Sequence, residues 1–116
     1  ADFGFNIKIK WLNDLVIEGG KVAGILLEQK GEKLIAGVGI NLVSSPDTLS
    51  LRENTALPAT SLNKVYPEAA GNLTPEMIVE NLLARLAKLD LRSFSGSWRN
   101  EALSRLLWLN ETICLI

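Results

Sequence analysis

The chain has 116 residues, 47% hydrophobic and 22% charged, with a formal net charge of −1, the composition of one folded domain or part of one. Near-neutral charge supplies no general field for nucleic acid or anionic lipid, so no nucleic-acid contact is expected from this segment and any anion must be held by local lysines and backbone N–H groups. The single cysteine and the absence of histidine exclude an internal disulfide, Ser-His and Cys-His catalysis, zinc hydrolase chemistry and a histidine pH switch.

Residues 5–11, FNIKIKW, alternate cleanly, with Phe5, Ile7, Ile9 and Trp11 on one face and Asn6, Lys8 and Lys10 on the other. This predicts a strand with one buried face and places Trp11 in the core. Residues 15–18, then Gly19-Gly20, then KVAGILLEQ at 21–29 predict a hairpin turning on the two glycines, where positive φ costs little. A second turn at KGEK, 30–33, leads into LIAGVGINL, 34–42, so the first third is expected to be an antiparallel meander of about four strands. From Val43 to Pro75 the chain is turn-rich, with SSPD, LPATS and AAGNLTP and room for a short helix near 59–65. So long a weakly structured stretch points to function or mobility.

Thr74-Pro75 is a helix start, with Thr as N-cap and Pro at the first helical position. Ile78, Val79, Leu82, Leu83, Leu86 and Leu89 come next as an apolar stripe at helical spacing. A second helix is expected over residues 97–107, with Trp98, Ala102, Leu103, Leu106 and Leu107 inward. The run ETICLI, 111–116, reads as a further strand with Cys114 in the core. Strands first and helices after make an α+β chain. No apolar run reaches the length of a membrane span and the start, ADFGFNIKIK, has no signal-peptide anatomy, so a cytoplasmic location is the default expectation. The chain starts without Met and stops on an apolar run, and both ends are expected to be cut.

Two familiar glycine motifs fail. GVGINL, 37–42, lacks the third glycine of a dinucleotide fingerprint and has no convincing helix after it; GGKV, 19–22, lacks the first glycine and the Ser/Thr of a P-loop. The stretch that neither motif explains is KWLNDLVIEGGKVAGILLE, Lys10 to Glu28. Gly24 stands where a strand interior is weakened by glycine, so either something approaches the backbone there or the strand carries a bulge or tight packing.

KWLND at 10–14, KVAGILLE at 21–28 and GVGIN at 37–41 together resemble the biotin protein ligases, which carry K-W-P-N-D, K-[LIV]-[AG]-G-[IV]-L-[LIV]-E and G-[IVA]-G-[IL]-N segments in that order. ATSL at 59–62 and the helix leading to ETICLI resemble the segments that come next in that family. The resemblance implies a mixed antiparallel sheet with flanking helices, the fold shared by class II aminoacyl-tRNA synthetases and biotin/lipoyl ligases. It implies ATP-dependent conversion of biotin to biotinyl-adenylate, then transfer of biotin to a lysine of a biotin carboxyl carrier domain. Biotin and ATP would be substrates, with Mg²⁺.

The resemblance carries over residue by residue. Lys21 corresponds to the family's biotin-carboxylate lysine and is the expected catalytic cation, since bringing a carboxylate against an α-phosphate joins two anions. Gly24, with Ile25 and Leu26 beside it, would let the flat bicyclic ring lie on the strand backbone. Asn13 and Asn41 match positions bordering the adenylate. Asp14 matches the acidic position near the nucleotide, where it would help hold Mg²⁺; alternatively it caps an Asn-Asp turn. Lys10 meets phosphate or solvates a strand face, and phosphate is preferred.

The family's Pro is Leu12 here, which loosens the approach to Asn13-Asp14. The family's Gly/Arg-rich loop, its Ser/Thr-Asn motif and its biotin-contacting Gln lie upstream of K-W-P-N-D and have no counterpart in the chain. The expectation is the C-terminal half of a catalytic domain over 1–110 and the first strand of a β-barrel domain at 111–116, inactive without the upstream half. The rivals are a non-catalytic biotin- or nucleotide-binding fragment and a structural module dimerising through an exposed sheet edge. A lipoate ligase relative is weaker, because KVAGILLE fits the biotin branch better.

Overall fold

A computed structural model describes residues 3–46, 57–88 and 98–107. Four strands, β1 (Lys8–Lys10), β2 (Asp14–Ile17), β3 (Gly20–Lys30) and β4 (Lys33–Ile40), form one antiparallel sheet in chain order. The expected meander is there. Four helices come after it: α1 (Leu62–Val65), α2 (Pro67–Gly71), α3 (Pro75–Leu86) and α4 (Trp98–Arg105).

The β2–β3 turn sits one residue earlier than the glycine pair predicts. Ile17 pairs with Gly20, so the loop is Glu18-Gly19, with φ of 46° and 79°. Positive φ at both central positions matches the right-handed twist of the flanking strands. Gly20 instead belongs to β3, where a Cβ would lie 2.7 Å from Thr60 Cγ2. It is there for close approach.

Ile17, Val22, Ala23, Leu62 and Ala70 form the buried cluster, with Phe5, Ile7, Leu15, Leu42, Val65 and Tyr66 packed on it. Alternation over 5–11 overstates the first strand: only Lys8–Lys10 pair with Val16–Asp14 before the chain turns. Trp11 falls in that turn and is 75% exposed, not core. A side-chain pattern does not reveal where the partner strand ends.

The expected short helix is α1; its N-cap Ser61 accepts from the Lys64 N–H and donates to the Val43 carbonyl. Helix α2 directly after it is not foreseen, although Pro67 at its first position is a start signal. Helix α3 starts as expected, Thr74 Oγ1 accepting from the Met77 N–H at 3.2 Å. Its stripe does not become core: none of its residues is buried, and Val79, Leu82, Leu83 and Leu86 are exposed. In α4, Ala102 is half-buried and Leu103 exposed. Just beyond α4, Leu107 N–H donates to the Ile9 carbonyl, tying this end to β1. Leu89, Cys114 and 111–116, together with the Trp98 side chain, lie outside the described residues. No described helix is long and apolar enough to cross a membrane.

Candidate ligand-binding site on the glycine face of the sheet

Register builds the site. Lys10 pairs with Asp14, Asp14 with Gly24, and Gly24 with Gly39, giving a transverse row across all four strands. Residues directly opposite one another share a face. The row therefore carries two charged side chains on β1 and β2 and bare backbone on β3 and β4. Gly37, opposite Leu26, extends the bare patch by one step along β4, since alternate residues share a face.

Lys21 joins that face through an irregularity. Leu15 pairs with Ala23 but Val16 pairs with Lys21, so Val22 is an extra residue on β3. In an unbroken strand Lys21 would point with Ala23 and Ile25, away from Gly24. The bulge re-aims it, as bulges beside functional sites do. Lys21 Nζ accordingly lies 3.7 Å from where a Gly24 Cβ would stand and 2.8 Å from Asp14 Oδ1. The second oxygen, Oδ2, is 3.7 Å from Lys10 Nζ. One carboxylate thus bridges both lysines.

The backbone around Lys21 is fixed from the other side. Its N–H donates to the Pro58 carbonyl and its carbonyl accepts from the Thr60 N–H, each at 2.8 Å. Asn41 holds this strap: its Nδ2 donates to the Thr60 carbonyl at 3.0 Å, and its own carbonyl accepts from the Leu62 N–H.

The face opens into a cavity of about 430 Å³ lined by Asn13, Lys21, Gly24, Ile25, Leu26 and the β4 segment 37–39. A neighbouring hollow of about 460 Å³ shares Asn13, Ile25 and Leu26 and adds Asp14 with Ile9, Leu12, Leu15 and Leu27. The residues singled out from sequence as Lys10, Asn13, Asp14, Lys21, Gly24, Ile25 and Leu26 are therefore brought together. Asn41 is not among the lining residues. Sequence reasoning misses Gly37 and Gly39 as site residues, although their spacing of two already places them on one face of a strand, and it misses the strap contacts of Pro58 and Thr60, which ATSL at 59–62 marks only by resemblance.

Chemically the arrangement offers an ammonium above side-chain-free backbone, with apolar flanks: a fit for a flat ligand bearing one carboxylate. A cation at Asp14 fits poorly. Both carboxylate oxygens face ammonium groups, which would repel a cation there.

Residues 2–44 match the family described as Biotin/lipoate A/B protein ligase. Within it, the similarity runs to the biotin protein ligases. The chain is 34% identical over 116 residues to the biotin--[acetyl-CoA-carboxylase] ligase of Paracoccus denitrificans, covering 92% of this chain and 46% of that protein. Among solved structures, a mutant of the biotin protein ligase from Aquifex aeolicus in complex with biotin superposes with a TM-score of 0.68 at 26% identity, covering 94% of this chain and 45% of that one. The Aquifex aeolicus enzyme in complex with biotin and ATP gives 0.61 at 25% identity, over 89% and 43%. The chain spans about half the length of these relatives. The α+β fold inferred from the order of elements is the fold of these neighbours.

Proposed function

We propose that the chain supplies the lysine-and-glycine half of a biotin protein ligase active site. The reaction joins the biotin carboxylate to the α-phosphate of ATP, releases pyrophosphate, and passes biotin from biotinyl-adenylate to a lysine of a biotin carboxyl carrier domain. The observation carrying this reading is the bulge at Val22, which sets the Lys21 ammonium over Gly24. Lys21 pairs with the biotin carboxylate and lowers its repulsion from the phosphate. Gly24, Ile25 and Leu26 receive the ring, while Lys10, Asn13 and Asp14 border the nucleotide. Asn41 contributes by holding the strap behind Lys21. We place the reaction in the cytoplasm, where ATP is abundant.

The reaction needs the Gly/Arg-rich loop of the family, which has no counterpart in these residues. Polypeptide 1–116 with biotin and ATP is therefore expected to release no pyrophosphate above background. Joined to the upstream half of the Paracoccus denitrificans relative, it is expected to release pyrophosphate and biotinylate a carrier domain. Lys21→Ala in that fusion should lower the rate by about 10²- to 10³-fold, the range for removing one charge-stabilising donor. An active fusion indifferent to Lys21→Ala would refute the assignment. A second reading, association of two copies through β4, is favoured by one observation: β4 is one edge of the sheet among the described residues and is exposed throughout.

A further inference from the structure

We propose that Asp14 is a latch on the ligand-binding ammonium, a positioning residue that keeps Lys21 over the glycine row until a ligand carboxylate takes its place. This rests on the reading of Lys21 as the carboxylate-binding cation. Asp14 is the fixed partner: its backbone is paired with Lys10 on one side and Gly24 on the other, and its side chain is 18% exposed against 44% for Lys21. The lysine, longer and more open, is the one that moves.

Lys10 makes the exchange possible. With Oδ2 3.7 Å from Lys10 Nζ, Asp14 keeps an ammonium beside it when Lys21 turns to the ligand. No step leaves a half-buried carboxylate unpaired, which would be the expensive state. The three side chains, two lysines and one aspartate, sum to +1, so one added carboxylate brings the group to neutrality. The same arrangement disfavours Asp14 as a metal ligand, because a cation there would face both ammonium groups.

The test is residue-resolved acetylation of 1–116 with limiting acetic anhydride, read by mass spectrometry, using the exposed Lys30 and Lys33 as internal references. Lys21 must leave Asp14 before its nitrogen can meet the reagent. Asp14→Asn is expected to raise the Lys21 rate about two- to fivefold relative to the references, the range for releasing one partly exposed ion pair. Asp14→Glu should restore much of the protection. A Lys21 ratio unchanged by Asp14→Asn would overturn the proposal. Salt gives a check that needs no substitution: at about 1 M NaCl, where screening acts within ~3 Å, the same relative rise is expected in the unaltered chain, and a flat response contradicts the latch. Biotin is then added. Slower Lys21 labelling supports both the latch and the ligand; no protection alongside a positive Asp14→Asn result supports the latch and counts against biotin as the occupant.

Discussion

Gly20 and Gly24 sit four residues apart in one strand and answer to different forces. A methyl at Gly20 would meet Thr60 at 2.7 and 2.8 Å, whereas at Gly24 the nearest atoms are Lys21 Cε at 3.6 Å and Nζ at 3.7 Å, ordinary contact with the end of a flexible chain. Gly20→Ala is thus expected to destabilise the fold by about 1–3 kcal/mol through overpacking. Gly24→Ala should cost much less, and urea unfolding of the two variants side by side checks the order. Equal losses would mean that packing, and not an open face, explains both glycines. Gly24 is legible in the sequence because a bare residue in a strand interior calls for a cause. Gly20 reads as a turn residue because its actual cause, Thr60, is distant along the chain.

At the scale of elements, a tight turn and a capped helix start are readable, whereas the face a side chain takes beyond a bulge is not. The Lys30–Lys33 turn with Gly31 at φ 60° and the Thr74 cap result from local chemistry alone. Thr74→Ala is expected to cost α3 about 0.5–2 kcal/mol, appearing as faster amide exchange confined to its first turns; exchange spread evenly over the sheet would contradict a local cap. A bulge in this strand is one reading of Gly24 in the sequence, but its place at Val22 is out of reach there, since it exists only as a mismatch between β2 and β3. Without it, Lys21 and Gly24, three apart, would be assigned to opposite faces. The stripe on α3 shows the complementary limit: helical spacing marks which residues share a face and says nothing of what covers them.

For the molecule as a whole, the charged row and the cluster around Ile17 and Ala23 lie on opposite faces of one small sheet, so the proposed recognition rests chiefly on register. The edge strand β4 gives the second reading its own check. Light scattering over a dilution series should show a concentration-dependent dimer if β4 pairs with a second copy, and a monomer at every concentration would remove that reading. Central to everything is recognition at the Lys21–Gly24 face. Titrating biotin into ¹⁵N-labelled 1–116 tests it most directly, with amide shifts expected at Gly24, Ile25, Gly37 and Gly39 and lost in Lys21→Ala. Shifts confined to the other face, around the cavity of Phe5, Ile7, Arg85 and Arg105, or shifts that survive Lys21→Ala, would contradict it.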